Sequence, residues 1–130
     1  MFLFLDKTIE QVRILIVDDA GKIIKMVVKK GKKDILSVIS SIIGKQRISG
    51  VITVAGPDSF SISRGKVSIA NTISFAWGIP AVGLDRRDFS DEKNMIKAGI
   101  EKIKKDKSGK IVLPIYDRDP NITIKKGDKK

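Results

Sequence analysis

The sequence predicts an α/β fold in which helices cover a mixed sheet of about five strands. Three apolar, β-branched runs open the chain, at residues 2–5, 12–17 and 23–28. Two later apolar runs, at residues 50–55 and 81–84, each follow a segment with helical periodicity. A strand meander followed by two right-handed crossovers gives the element order β-β-β-α-β-α-β. The length of 130 residues fits one such domain.

The first half of the chain contains a hairpin and a first helix. Asp18-Asp19-Ala20-Gly21 predicts the turn between the second and third strands. Residues 29–33 form a basic connector, and Asp34 is the expected N-cap of a helix over residues 35–43 that ends at Gly44. Apolar residues cover well over one stripe of this helix, so we expect it to pack on two sides.

The second helix follows a strand whose continuous apolar pattern is typical of burial on both faces. Ser59 or Ser61 is the expected N-cap, and the helix ends at Gly78, shortly before Pro80. Its expected sheet-facing side is formed by Ile62, Ile69, Ile73 and Trp77. We also expect Phe2, Phe4, Phe60 and Trp77 to lie in the core.

Charge and helical periodicity mark the last part of the chain. After the charged stretch at residues 85–88, Ser90 is the expected N-cap of a third helix over residues 91–105. Acids in its first turn and lysines in its last match the helix dipole. Residues 111–115 predict an edge strand or extended segment, because Pro114 interrupts them, and residues 125–130 predict a basic disordered tail.

Composition narrows the classes of function. The chain has no cysteine and no histidine, which removes thiol chemistry, Cys-type zinc sites and the commonest general base. An enzyme could still use Asp, Glu or Lys, but catalysis is disfavoured, and we expect no catalytic residues, cofactor or metal. The net charge of +11 favours attraction to polyanions, although lysines on a solvated helix face explain it equally well. The apolar start is too short for a signal peptide or membrane span, so a cytoplasmic protein is expected.

Small residues recur along one side of the second helix, at Ser61, Gly65, Ser68, Thr72 and Ala76 or Phe75. Such a side lets another helix approach closely. Two interpretations stay open: the small residues pack against the first helix within the domain, or they contact a partner chain. Because the first helix is apolar on two sides, the second interpretation is favoured, and two adjacent helices would then form half of a four-helix interface.

The Gly56-Pro57 turn before this helix is a weak candidate for a phosphate site. Backbone amides at a helix N-terminus attract phosphate, but Asp58 places a carboxylate where the phosphate would lie. No glycine-rich run ends in Lys-Ser or Lys-Thr, as a P-loop requires. Asp6 is the only well-placed carboxylate for a magnesium site.

At these residues the chain resembles the TsaB (YeaZ) family, whose members carry a Gly-Pro-Gly-Ser-Phe-Thr-Gly-x-Arg motif between a strand and a small-residue helix. The matching residues are Gly56, Pro57, Ser59, Phe60 and Arg64, with Ser61 as a conservative match. The sequence departs from the pattern at Asp58, Ile62 and Lys66. Residues 4–8, 79–83 and 114–118 resemble the family's opening, its next strand and its terminal Pro-x-Tyr-x-Arg.

The resemblance implies a fold and a domain organisation. The fold is the ribonuclease H-like N-terminal domain of actin-like ATPases, expected at residues 1–86. Residues 87–124 would be a reduced C-terminal extension, a helix and an extended segment packed on the same domain, before the tail at residues 125–130. Typical family members are nearly twice as long and have a second domain of the same fold type.

The resemblance also implies a function. TsaB-like subunits are non-catalytic and pair with the catalytic subunit TsaD, together with the ATPase TsaE, in the bacterial machinery that places threonylcarbamoyl on adenosine 37 of tRNA. The implied interface comprises Gly56, Pro57, Ser59, Phe60, Ser61, Arg64, Gly65, Ser68 and Thr72 of the second helix and its turn, and Leu36, Ile39 and Ile43 of the first helix. A homodimer is expected when the subunit is alone, tRNA contact is expected to be indirect or weakly electrostatic, and no membrane partner is expected.

Two other classes of function compete with this one. The charge suggests a small basic RNA-binding or structural module, although only 5% of residues are aromatic and a base-stacking platform is not evident. The fold class suggests a small ATPase, but the expected glycine-rich phosphate turns and acidic magnesium site are poorly matched. The sequence therefore predicts an interaction subunit rather than an enzyme.

Overall fold

The computed structural model describes residues 1–7, 11–30, 35–43, 47–105, 112–113 and 115. The strands are β1 (Phe2–Lys7), β2 (Gln11–Val17), β3 (Ile23–Lys30), β4 (Gly50–Gly56) and β5 (Ala81–Asp85). The helices are α1 (Ile35–Ile43), α2 (Phe60–Trp77) and α3 (Glu92–Lys105), and a short 3-10 turn (Arg86–Asp88) follows β5. The predicted element order is confirmed. Asp34 and Gly44, the expected ends of α1, lie outside the described residues.

The described strands form one mixed sheet in the order β3-β2-β1-β4-β5. β1 lies at its centre, antiparallel to β2 and parallel to β4, so that Leu3 is opposite Ile16 on one side and Val51 on the other. β5 continues the parallel part beside β4. The predicted turn joins β2 and β3: the Asp18 carboxylate accepts hydrogen bonds from the backbone N–H groups of Ala20 and Lys22, at 2.9 and 2.8 Å.

One face of the sheet is covered by α1 and α2. Alternate residues of the central strands, such as Leu3, Leu5, Ile14 and Ile16, join Ile39, Ile43, Val67, Ala70 and Ile73 in one buried cluster. The side of α1 that carries Ser40 and Ser41 is exposed. Among its described side chains, α1 is therefore buried along one side, whereas the sequence predicted packing on two.

The other face of the sheet is covered by α3. Phe2, Phe4, Leu15, Ile52 and Leu84 form a second cluster with the predicted apolar side of α3, which is Met95, Ile96, Ile100 and Ile103. A Cβ added at Gly99 would lie 2.6 Å from Cγ2 of Ile52, so the helix backbone approaches β4 as closely as a glycine permits. Covering the sheet on both faces explains why β4 is buried along its whole length.

At the helix ends, Ser59 is confirmed as the N-cap residue of α2, and two other predictions are corrected. Trp77 is 42% exposed rather than buried, because the last turn of α2 extends past its buried segment and Phe75 and Ala76 are exposed as well. Ser59 is the N-cap residue of α2, but its side chain makes no capping hydrogen bond. Asp91 rather than Ser90 caps α3: its Oδ1 accepts a hydrogen bond from the backbone N–H of Asn94 at 2.8 Å, a cap that Ser90 lies one residue too early to make.

The last described residues lie against α2 and β4 without joining the sheet. The Asn71 amide and the backbone of Val112 exchange two hydrogen bonds, at 3.0 and 2.8 Å. The Ile115 N–H donates to the carbonyl of Ala55 at 2.8 Å. Val112, Leu113 and Ile115 belong to no strand, so the edge-strand alternative for residues 111–115 is wrong for these three, while the domain boundaries stay a prediction.

None of the helices in the described ranges is long and apolar enough to cross a membrane.

Candidate functional site: a charge cluster and the outer face of α2

Four charged side chains meet where the parallel strands end. The carboxyl ends of β1, β4 and β5 lie at one edge of the sheet, because these strands run in the same direction. Asp6 comes from the end of β1, Asp58 follows β4, and Arg86 follows β5. Lys66 reaches this edge from the second turn of α2. We call these four residues the charge cluster.

The charge cluster is held by a chain of ion pairs. Lys66 Nζ lies 2.5 Å from Oδ2 of Asp58 and 3.2 Å from Oδ1 of Asp6. Arg86 binds Asp58 through both terminal nitrogens, at 3.0 and 3.2 Å, and lies 3.6 Å from Asp6. Arg86 also donates to the carbonyl of Pro57 at 2.8 Å. Because the Lys66 side chain is only 1% exposed, its charge depends on these carboxylates rather than on water.

Burial and hydrogen bonding act in opposite directions on Asp58. Burial raises the pKa of its carboxyl, but the hydrogen bonds from Arg86 and Lys66 lower it by more, and the net pKa lies below 3.8. The hydrogen bond to Asp58 in turn raises the pKa of Arg86. Next to the cluster, hydrogen bonds from Arg87 lower the pKa of the partly exposed Asp85 to about 2. These carboxyls are therefore ionised at neutral pH.

The charge cluster lies at the same edge of the sheet as the turn before α2, which is the weak candidate for a phosphate site. Its two carboxylates balance its two cations, and Asp58 bridges the cations at the N-terminus of α2. Asp6 is therefore not the only carboxylate at this edge, since Asp58 shares Lys66 with it. Among the described residues, no group of three or more acidic side chains is arranged to hold a metal ion.

Sequence reasoning missed the cluster, although a signal was present. Asp58 and Lys66 are two of the three departures from the TsaB motif, and they bind each other directly. A carboxylate and an amine that replace small residues together indicate an ion pair. Arg86 carried no such signal, because its partners lie 28 or more residues away.

The turn before α2 and the first turn of the helix also contact Ile115, the last of the described residues. The Ile115 carbonyl accepts a 2.6 Å hydrogen bond from the Ser63 hydroxyl. A Cβ at Gly56 would lie 2.0 Å from that carbonyl oxygen, and the φ of Gly56 is +140°, so only glycine fits here. Pro57 follows through a cis peptide bond and is half-buried.

The small residues of α2 face outward. Ser61, Ser68 and Thr72 are exposed, and a Cβ at Gly65 would meet none of the described atoms within 4 Å. Phe75 continues the same side at helical spacing and is 92% exposed. We call Ser61, Gly65, Ser68, Thr72 and Phe75 the outer face of α2. The interpretation that these small residues pack against α1 within the domain is therefore wrong.

The other residues implied by the resemblance divide into surface and core. Ser59 and Arg64 are exposed beside the outer face of α2, and Gly56 is buried. Ile39 and Ile43 are buried in the sheet cluster, so α1 does not present them to a partner. The side chains of Phe60 and Leu36 lie outside the described ones. The structure thus places Ser61, Gly65, Ser68 and Thr72 on one outward side of α2, whereas Ile39 and Ile43 of α1 are buried.

Comparison with known proteins gives a likeness in structure alone. No family model and no curated protein matches the sequence. The structure of YeaZ from Pseudomonas aeruginosa superposes with a TM-score of 0.53 at 14% identity, covering 65% of this chain and 42% of that chain. A second structure, an uncharacterized protein with similarity to peptidase YeaZ from the same organism, gives 0.52 at 14% identity, covering 65% and 44%. The match thus spans less than half the length of either protein.

The likeness agrees with the predicted ribonuclease H-like fold and its five-stranded mixed sheet. Over 65% of its length, the chain has a TsaB/YeaZ-like fold.

Proposed function

We propose that this protein is a non-catalytic subunit that pairs with a TsaD-like catalytic subunit and supports threonylcarbamoylation of tRNA position 37 in the cytoplasm. The observation that carries the proposal is the outer face of α2, where an almost fully exposed Phe75 ends a row of small residues. A helix with small residues lets a second helix approach closely, and an exposed aromatic side chain supplies an anchor for it. A TsaE-like ATPase would join the complex through TsaD, and the isolated subunit would form homodimers through the same face.

The charge cluster supports the non-catalytic part of the proposal. Asp58 neutralises Lys66 and Arg86 from within the chain, so these cations are already satisfied where a nucleotide phosphate would need them. The chain also lacks histidine and cysteine. Purified protein should therefore show no ATP hydrolysis above background. Robust hydrolysis that Asp6→Ala abolishes would contradict the proposal.

The pairing is tested with bulky substitutions on the outer face of α2. Ser68→Trp and Thr72→Trp should hold a partner helix away and abolish co-elution with a TsaD-like protein on size-exclusion chromatography. Both positions are exposed, so the free energy of unfolding should change by less than about 0.5 kcal/mol. Phe75→Ser should weaken the pairing by removing the aromatic anchor, again without loss of the fold.

Asn94→Trp is the matched control, because Asn94 is exposed on α3, on the opposite side of the sheet. It should leave both the melting temperature and the co-elution unchanged. If the Trp variants on α2 unfold the domain, or if they pair as well as Asn94→Trp does, the outer face of α2 is not the partner surface.

A basic RNA-binding module is the second candidate, favoured by the exposed lysines of α3, which include Lys97, Lys102, Lys104 and Lys105. These charges would contact phosphates without reading bases. Binding to tRNA should therefore be weak and insensitive to sequence, and six contacts would lose about three orders of magnitude in affinity between 50 and 200 mM salt. Tight tRNA binding that persists at high salt would favour RNA recognition as the main function.

A further inference from the structure

The outermost strand of the sheet has an open edge in the described structure. β3 pairs with β2 over Gln11–Val17 and lies at the end of the strand order, so its other edge faces no described strand. Two of the helices lie elsewhere: α2 packs over β1, β4 and β5, and α3 over β4 and β5. Backbone N–H and C=O groups along such an edge can accept another strand.

The side chains of β3 make this edge unusually apolar. Met26 and Val28 lie two residues apart and share one face, and Ile24 precedes them at an irregularity in the register of β3 with β2. Ile24, Met26 and Val28 are 45%, 54% and 42% exposed. Met26 lies opposite the buried Leu15 of β2, and Val28 lies opposite Arg13. The three residues therefore extend the apolar surface of the sheet beyond the area that α3 covers.

The opposite face of β3 carries positive charge. Lys25 and Lys29 flank Val27 there, since residues two apart point the same way. Residues 20–33 contain lysines at 22, 25, 29, 30, 32 and 33 and no acid. These lysines, which are part of the net charge of +11, disfavour pairing with a second copy of the chain.

We propose that β3 is a docking edge for an extended acidic segment of a partner protein, which adds to the sheet as a sixth strand. Charge complementarity selects the occupant: acids on alternate residues meet Lys25 and Lys29, and apolar residues between them meet Ile24, Met26 and Val28. The same lysines that oppose self-pairing thus attract this partner. The edge is distinct from the outer face of α2, so the inference goes beyond the proposed function and does not depend on it.

The apolar row favours a protein strand over RNA. Ile24, Met26 and Val28 offer no aromatic ring on which a base could stack. A bound strand, in contrast, would use the apolar row, the lysines and the free backbone edge together. RNA and a second copy are therefore alternative occupants that the experiment must separate.

The experiment uses the whole chain and a short synthetic peptide that alternates valine with glutamate. Titration followed by NMR should give saturable binding, with shifts concentrated at β3 and new protection of alternate β3 amides from hydrogen exchange. Lys29→Glu should weaken binding by about five- to tenfold, because a favourable cross-strand charge pair becomes a repulsive one. Met26→Thr should weaken it by shortening the apolar row while keeping a β-forming residue.

Arg47→Glu is the matched control, since it makes the same charge change at an exposed residue that precedes β4, three strands from β3 in the sheet. It should leave binding within about twofold, the small effect that is expected of a remote surface charge. Equal binding of a peptide with its glutamates grouped at one end would show attraction by charge alone and overturn the proposal. Shifts at β3 caused by an RNA oligonucleotide but not by the peptide, or self-association through β3, would overturn it as well.

Discussion

The helices α2 and α3 cover opposite faces of one sheet, yet their outer sides differ. Half of the residues of α3 are charged, and Lys93, Lys97 and Lys102 are exposed. The charged residues of α2 are only Arg64 and Lys66, and Lys66 is buried. Where α3 exposes lysines, α2 exposes serine, glycine, threonine and Phe75.

The difference distinguishes a helix whose outer side is solvated from one whose outer side is suited to contact another protein. Both helices bury an apolar side, so burial alone does not separate them. Charge on the outer side keeps a helix in water, whereas small residues and an aromatic side chain favour another protein surface. The helices also differ in their polar anchors: α2 uses the buried Lys66 of the charge cluster, and α3 uses an ion pair between Glu92 and Arg13 in which both side chains are partly exposed.

The largest expected effect breaks the anchor of α2. Lys66→Met leaves Asp6 and Asp58 without their buried cation and should lower the free energy of unfolding by about 3–5 kcal/mol. Glu92→Gln is the control on α3 and should cost no more than about 1 kcal/mol, because its ion pair is partly exposed. Urea unfolding measures both. Equal losses in the two variants would mean that the charge cluster is not the stronger anchor.

The buried apolar side chains of α2 and α3 should contribute similar amounts to the free energy of unfolding. Ile73→Ala in α2 and Ile96→Ala in α3 each remove a side chain that is at most 2% exposed, so each should cost about 2–5 kcal/mol. Ile69→Ala should cost less, since Ile69 is only partly buried. Thermal melts of the three variants test whether the helices differ only on their outer sides. A negligible cost for Ile73→Ala would remove α2 from the core.

Alanine substitutions at two helical glycines, Gly99 and Gly65, should change the free energy of unfolding by smaller amounts and in opposite directions. Gly99→Ala places a methyl group 2.6 Å from Ile52 and should destabilise the fold by about 1–3 kcal/mol. Gly65→Ala meets open space within a helix and should stabilise it by about 0.5–1 kcal/mol. Chemical denaturation would show both signs. If Gly65→Ala destabilises the fold, the outer face of α2 is less open than described.

The smallest effect concerns pH. The pKa of Asp58 is lower in the folded protein than its usual value of 3.8, so its stabilising contribution is present above that value. The contribution is lost as pH falls below about 4 and through the folded pKa. Melts of the native protein between pH 5 and about 2 should therefore show a decline that is shallower in Asp58→Asn. An unchanged slope in that variant would assign the decline to other carboxyls, Asp85 first among them.

Local sequence signals predicted most of the fold. The apolar runs, the Asp18 turn and the glycine after α2 were sufficient for the strand and helix order, because each depends on neighbouring residues. The positions that failed depend on distant partners. Trp77 has an apolar side chain at the expected spacing. Helical spacing does not indicate, however, how far the last turn of α2 extends past the sheet.

The candidate site was predicted in part for the same reason. Helical spacing placed Ser61, Ser68 and Thr72 on one side, and only the tertiary structure shows that this side is open. Ile39 and Ile43 looked equally suited to a partner, but the sheet buries them. The contact of Arg86 with Asp58 joins two loops that follow different strands, and a single sequence gives no sign of it.

The central position of β1 has a consequence for the order of synthesis. Its first neighbour, β2, leaves the ribosome almost at once, but its second neighbour, β4, begins at Gly50. Until then any sheet formed by β1, β2 and β3 would leave the other edge of β1, with Leu3 and Phe4, without its β4 partner. Nonlocal pairing of this kind slows folding, so the interval before β4 emerges is when the chain most needs protection from aggregation.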